Sequence, residues 1–177
     1  MTKLSKLNIF KQFLEKGPII LLFIATLNEF DFNYLELKYF SFNFPFILIY
    51  YWSLKRPGSL GYGLIFLSGL FNDAVVGLPI GVSSLSYLFI CGFSSYLRNI
   101  TLRPSVINDW FFFGFTILVV NSLMFAILNV FFNVQIIYSD VLVNILFTFL
   151  FYIIFSSLFE YYKNLVFGAS NVWWWRF

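Results

Sequence analysis

The sequence contains no histidine and a single cysteine, and each of these features excludes a class of chemistry. A chain without histidine cannot carry a Ser-His-Asp triad, a histidine general base or an HExxH zinc site. Cys91 alone cannot form an intramolecular disulfide or a cysteine-cluster metal site. Because Cys91 lies inside an apolar run, we expect it to be a small buried side chain. The sequence therefore predicts no histidine-dependent catalytic site and no metal site built from histidine or cysteine.

Charged residues are also scarce, at 11% of the 177 residues. A soluble domain carries roughly 25% charged residues, because its surface must face water. The hydrophobic fraction is 60% and the mean hydropathy is +0.85, which excludes disorder as well. We therefore expect a single polytopic membrane domain over residues 1–177. It would have a basic cytoplasmic N-terminus at about 1–16 and an aromatic cytoplasmic C-terminal tail at about 163–177.

Polar residues, prolines and glycines divide the chain into apolar stretches. A bilayer core about 30 Å thick needs about 20 helical residues, a length that the last two stretches reach. The first two are shorter and require tilt or local thinning of the bilayer. The runs do not alternate between polar and apolar residues as the strands of a membrane barrel would. The sequence thus predicts an all-α integral membrane protein with six transmembrane helices, at roughly Pro18–Phe30, Phe42–Leu54, Leu60–Val76, Val82–Leu97, Trp110–Phe132 and Val141–Tyr161.

The basic residues set the predicted orientation. With the N-terminus in the cytoplasm, every lysine and arginine except Lys38 falls on the cytoplasmic side, as the positive-inside rule requires. An even number of helices then places both termini inside (N-in/C-in). The basic start and the first apolar run resemble a secretory signal, but no small-residue cleavage site follows, so we expect a retained helix. Residues 173–177, a run of tryptophans before Arg176, are typical of an interfacial anchor.

The segment from Gly69 to Gly81 predicts a tight turn between the third and fourth helices. Pro79 cannot continue a helix, and glycine adopts backbone angles that other residues resist, as expected at Gly77 and Gly81. Asp73 lies about one turn before this break. Two roles are open for its carboxylate: it caps free amide groups in the turn, or it is a functional acid within the membrane.

Small residues predict close helix packing on both sides of this turn. On the fourth helix, Gly81, Ser84, Cys91 and Ser95 share one face; on the third, Ser59 and Gly63 have small-xxx-small spacing. Small residues allow helices to approach closely in lipid, either within the chain or against a partner. We expect a valine at position 77 or 81 to strain both the turn and this packing, and so to impair folding or partner binding.

The stretch from about Phe42 to Asn99 resembles the family of the rod shape-determining protein MreD. The resemblance covers about a third of the chain specifically. It rests on Tyr50-Tyr51-Trp52, the basic turn Lys55-Arg56-Pro57, the pattern G-L-x-x-D-x-x-x-G-x-P-x-G that begins at Gly69, the segment Leu85–Leu88, and Arg98-Asn99.

This resemblance implies a non-enzymatic membrane scaffold and regulator of the cell-elongation complex in the bacterial inner membrane, without a metal or cofactor. Such a protein binds membrane lipid and MreC, and through MreC it acts on RodA, its penicillin-binding transpeptidase and MreB in lateral-wall peptidoglycan synthesis; no nucleic acid is involved. The implied fold is similar to the substrate-binding membrane component of energy-coupling-factor transporters. The family has no catalytic residues, so the matched positions are structural or interface candidates: Gly69, Asp73, Gly77, Pro79, Gly81, Ser84 and Arg98.

The alternative function is a small-molecule-binding membrane component of a transporter. A helix broken near a carboxylate can line a substrate site, and Asp73 with Pro79 fits that description. The absence of an internal repeat is evidence against it. Intramembrane proteolysis is excluded, because the sequence has neither a histidine to pair with a serine nor a GxGD motif with a second acid.

Overall fold

A computed structural model describes residues 14–27, 42–100, 105–133 and 138–167, and the regular secondary structure within these ranges is entirely helical. Each of the six predicted apolar stretches coincides with one helix, so the all-α prediction is confirmed. The helices are α1 Gly17–Leu27, α2 Phe44–Lys55, α3 Tyr62–Val76, α4 Val82–Ile100, α5 Val106–Phe132 and α6 Tyr138–Phe167, with a short 3₁₀ turn at Pro57–Ser59 between α2 and α3.

Some sequence-based predictions fall on other parts of the chain. The lysines at positions 3, 6, 11 and 38, Arg103, and the anchor at 173–177 all lie outside the described residues. The predicted placement of these groups relative to a membrane therefore stays a prediction.

Helices α5 and α6 are long and apolar enough to cross a membrane. Their apolar lengths are 27 and 29 residues, and each contains an 18-residue window with a mean hydropathy of 2.3. Helices α1 and α3 are also apolar but have 11 and 15 residues. Over the described ranges, two of the six helices thus have the length and composition of a membrane span by themselves.

Helix α2 is the centre of the bundle, and its residues 44–54 are all buried. It packs against α1, α4 and α6, and its Tyr50 ring lies 5.0 Å from the ring of Phe113 on α5. The helix begins at Asn43, whose Oδ1 accepts a hydrogen bond from the Phe46 amide, and Pro45 occupies the first turn, where its missing N–H costs nothing. With 12 residues α2 is about 18 Å long.

The outer surface of the bundle is strongly apolar. On α6, five exposed aliphatic side chains repeat every four residues and so form one stripe along the helix: Leu142, Leu146, Leu150, Ile154 and Leu158. Helix α5 exposes phenylalanines in the same way, including Phe111 and Phe115. Monomeric soluble proteins rarely expose contiguous apolar surface of this extent.

Contacts between helix termini define two ends of the bundle. At one end, Lys55 of α2 pairs with Asp109 of α5, and the Tyr162 hydroxyl of α6 donates to the Leu14 carbonyl before α1. The last turn of α4 is here too, because Arg98 Nη1 donates to the Ser53 carbonyl. We call this the ion-pair end. The turn between α3 and α4, residues 73–83, lies at the opposite end of the bundle, which we call the hairpin end.

Candidate functional site

The hairpin end brings together six of the seven signature positions. Gly69, Asp73, Gly77, Pro79, Gly81 and Ser84 lie on the last turns of α3, in the turn itself and on the first turn of α4. Arg98 lies fourteen residues beyond Ser84 on α4, about 21 Å away along the helix axis, at the ion-pair end. The structure thus divides the predicted set between the two ends of the bundle.

Asp73 joins the end of α3 to the start of α4. Its side chain is fully buried, with Oδ2 accepting from the Gly81 amide at 2.7 Å and Oδ1 from the Ser83 amide at 2.9 Å. Its main-chain carbonyl accepts from Gly77 and Leu78 at 2.9 and 3.0 Å. The carboxylate thus caps amides at the N-terminus of α4, where the helix dipole also favours negative charge. Of the two roles open from the sequence, the geometry matches the cap.

The turn itself depends on two glycines with positive φ. Gly77 ends α3 in the left-handed conformation at φ 77°, and Gly81 has φ 106°. Residues with a Cβ rarely adopt these angles. Beside the turn, Asn72 Nδ2 donates to Ser83 Oγ at 3.0 Å. This bonded turn displays Ile80, which is 81% exposed.

Close packing of α3 on α4 occurs at Gly69. A Cβ built on Gly69 would lie 2.6 Å from the Ser84 nitrogen, and Ser84 Oγ donates to the Phe66 carbonyl at 3.1 Å. The expectation of close packing at Gly63, Gly77 and Gly81 is wrong, because an added Cβ would meet no atom within 4 Å at any of them. Gly63 faces outward on α3, and the other two lie beyond the point where the helices cross.

Replacing Asp73 with alanine is expected to lower the free energy of unfolding by about 2 kcal/mol, because it leaves the buried Ser83 amide and the partly buried Gly81 amide without an acceptor. Asn at this position keeps one acceptor oxygen but turns its NH₂ donor toward the other amide, so it should lose at least half as much. Unfolding of the purified protein in detergent, followed by circular dichroism, measures both. Asp140, which is exposed in the first turn of α6, is the control, and its alanine variant should lose less than about 1 kcal/mol. Equal losses at positions 73 and 140 would contradict the capping role.

Replacing Gly81 with valine is expected to cost about 2 kcal/mol of stability, because a β-branched residue is strained at φ 106°. Gly92 on α4 has helical backbone and equally open space around its Cα, so Gly92→Val is the matched control. Thermal unfolding of the two variants side by side separates backbone strain from the added bulk. An unchanged midpoint for Gly81→Val would show that the turn can adopt another conformation.

The ion-pair end contains two acids, Asp109 and Glu160, that were not singled out from the sequence. Lys55 Nζ lies 2.6 Å from Asp109 Oδ2, and both side chains are largely buried. Asp109 is in the first turn of α5, where the helix dipole stabilises its charge. The Tyr50 hydroxyl donates to the Asp109 carbonyl at 3.3 Å. These contacts fix the start of α5 to the end of α2.

A second polar group at this end joins α2 to α6. The Tyr51 hydroxyl donates to Glu160 Oε2 at 2.6 Å, and Lys163 Nζ pairs with Glu160 Oε1 at 2.7 Å. Arg98 of α4 also donates to the Ser53 carbonyl. The last turns of α2 are therefore bonded to α4, α5 and α6. The spacing of Glu160 and Lys163, three residues apart on one helix, is a sequence signal for their ion pair. The pairing of Lys55 with Asp109 depends on tertiary structure and has no such signal.

The remaining chemistry of the described residues is sparse. They contain no group of three or more histidine, cysteine, aspartate or glutamate side chains that could hold a metal ion. Cys91 is 4% exposed and packs inside the bundle, where Ser53 Oγ donates to its Sγ at 3.2 Å, so its prediction as a small buried side chain is confirmed. In comparisons with known proteins, the chain matches no protein-family model, no curated protein and no solved structure.

Proposed function

We propose that the chain is a multi-pass protein of the bacterial inner membrane with six spans and both termini in the cytoplasm. The apolar stripe on α6 and the exposed phenylalanines of α5 support a location in which lipid hydrocarbon surrounds the bundle. The start of α1 and the end of α6 lie at the same end, as an even number of spans requires. This ion-pair end carries Lys55, Arg56, Arg98 and Lys163, so the positive-inside rule makes it the cytoplasmic end.

Within that membrane we propose a non-enzymatic scaffold and regulator of the cell-elongation complex. One observation carries the proposal: the residues of the MreD resemblance build a bonded turn at the predicted periplasmic end, and this turn displays Ile80. A surface that is already ordered loses little conformational entropy on binding, so it favours association with another protein. The proposed direct partner is MreC, and RodA, the elongation transpeptidase and MreB are reached through it.

The alternative function as a ligand-binding component of a transporter was motivated by Asp73. Both of its carboxylate oxygens accept hydrogen bonds from backbone amides, and the side chain is fully buried. Because of these bonds and its burial, the Asp73 carboxylate is not available to bind a small molecule. The scaffold is therefore the function that the hairpin end supports best.

Co-purification tests the partner. The wild-type chain, co-expressed with MreC and isolated in mild detergent, is expected to retain MreC. Ile80→Asn should reduce this retention at least about tenfold, as the loss of a central apolar contact does at protein interfaces. Ile107, which is 62% exposed in the first turn of α5 at the ion-pair end, gives the matched control Ile107→Asn. Equal retention by both variants would contradict binding through the hairpin end.

Depletion in cells tests the wider function. Rod-shaped cells that lose this protein are expected to become round and to insert less lateral-wall peptidoglycan, as measured by microscopy and by incorporation of a labelled wall precursor. Re-expression of the wild-type chain should restore both properties. Cells that keep rod shape and normal wall synthesis without the protein would contradict a role in elongation.

A further inference from the structure

Exposed tyrosines are found at the ion-pair end. Tyr62 begins α3, whereas Tyr96 and Tyr161 lie near the ends of α4 and α6, and each side chain is more than half exposed. Tyrosine is enriched at the interface between membrane and water, because its ring is apolar and its hydroxyl group is polar. The three rings match the membrane location proposed above, with this end of the bundle at the depth of the lipid headgroups.

Two exposed arginines lie at the same end: Arg98 contacts the last turn of α2, and Arg56 contacts the end of α6. The Arg98 guanidinium donates through Nη1 to the Ser53 carbonyl at 3.3 Å, and Arg98 is otherwise exposed. The Arg56 guanidinium carbon lies 3.4 Å from the centroid of the Phe167 ring, so it stacks on the end of α6. A guanidinium has five N–H donors, and these contacts occupy few of them.

Two acids at this end, Asp109 and Glu160, are paired with lysines rather than with the arginines. Lys55 pairs with Asp109, and Lys163 pairs with Glu160, so each acid is balanced by a lysine. Within the ranges that the structure describes, neither arginine forms a salt bridge. Among the described residues, the positive charge of both guanidinium groups is therefore available to an anion.

We propose that Arg56 and Arg98 each bind phosphate of anionic phospholipid at the cytoplasmic end of the bundle. The planar fork of a guanidinium matches phosphate in a bidentate arrangement, which a lysine cannot reproduce. Anionic lipids are concentrated in the cytoplasmic leaflet, and each nearby basic residue strengthens their binding. This inference rests on the membrane location proposed above but is independent of the scaffold function.

Lipid binding to the full chain provides the test. The protein, purified in a zwitterionic detergent and stripped of lipid, is titrated with phosphatidylglycerol, phosphatidylcholine or inorganic phosphate. Native mass spectrometry counts the retained lipids, and the thermal unfolding midpoint reports binding. We expect phosphatidylglycerol to bind and to raise the midpoint more than phosphatidylcholine does. Arg56→Gln and Arg98→Gln should each weaken its binding about fivefold.

Variants separate a phosphate site from general electrostatics. Arg98→Lys keeps the charge and the reach of the side chain but removes the fork, so it should also weaken phosphatidylglycerol binding. Lys16→Gln removes an exposed charge just before α1 and should change binding less than either arginine variant.

Several results would overturn the proposal. Equal effects of Lys16→Gln and the arginine variants, or equal stabilisation by both lipids, would overturn the site and leave the membrane location standing. Stabilisation by inorganic phosphate that matches phosphatidylglycerol would show a soluble anion site instead. As a separate measurement, the purified chain is mixed with phosphatidylglycerol vesicles during detergent removal. Failure of the chain to incorporate into these vesicles would overturn both this proposal and the membrane location.

Discussion

Gly69→Val should lower the free energy of unfolding by about 3 kcal/mol, because the new side chain has no room between α3 and α4. A Cβ at this position would lie 2.6 Å from the Ser84 nitrogen, so the obstacle is backbone and cannot move aside as a side chain can. Overpacking of a tight contact typically costs about 1–3 kcal/mol, with the upper end expected where backbone must shift. Unfolding in mixed detergent with increasing dodecyl sulfate measures the loss.

Gly63→Val on the same helix is the control for this prediction. Gly63 faces outward, with no atom within 4 Å of an added Cβ, so the substitution adds bulk without a clash. We expect the Gly63 variant to stay within about 1 kcal/mol of the wild type, because a helical glycine is itself less favourable than other residues. Comparable losses at positions 63 and 69 would mean that α3 and α4 do not cross at Gly69.

Lys55→Met is expected to cost about 3 kcal/mol or more, because it leaves the Asp109 carboxylate buried without its partner. Breaking a buried ion pair by removing one member typically costs about 3–5 kcal/mol. Asp109 is only 5% exposed, so water cannot replace the lysine. The stability of the variant is measured under the same conditions as that of the Gly69 variant.

The double variant Lys55→Met with Asp109→Leu tests the cause. Replacing both members of a buried pair by apolar residues is often neutral, so it should recover most of the lost stability. Lys163→Met provides a second comparison: its partner Glu160 is one turn away on the same helix and more exposed, so the loss should be below about 1 kcal/mol. A double variant as unstable as Lys55→Met would show that the lysine acts through contacts other than Asp109.

Apolar stretches and the turn signal predicted much of the fold. Pro79 with Gly77 and Gly81 marks the α3–α4 turn because these residues act through local backbone geometry, which a sequence reports directly. The capping role of Asp73 could also be expected from the sequence, as one of two open roles. A carboxylate near a helix break is within reach of the amides that follow it.

The position of α2 and the ion-pair end could not be predicted in this way. Composition does not show that a 12-residue helix is enclosed on all sides, because hydropathy is similar for a helix that faces lipid and one that faces other helices. Likewise, Lys55 and Asp109 are 54 residues apart in sequence. Their contact depends on how α5 packs against α2, and no local pattern encodes that arrangement.

The enclosed position of α2 has a consequence for biogenesis. The amide of its cap Asn43 donates to Thr148 Oγ1 and its Tyr51 hydroxyl donates to Glu160, so both groups have partners on α6, more than a hundred residues later in the chain. A nascent chain that has emerged only as far as α5 still exposes polar groups of α2 that need those partners. These contacts between the α2 segment and α6 therefore form only after translation has passed residue 160.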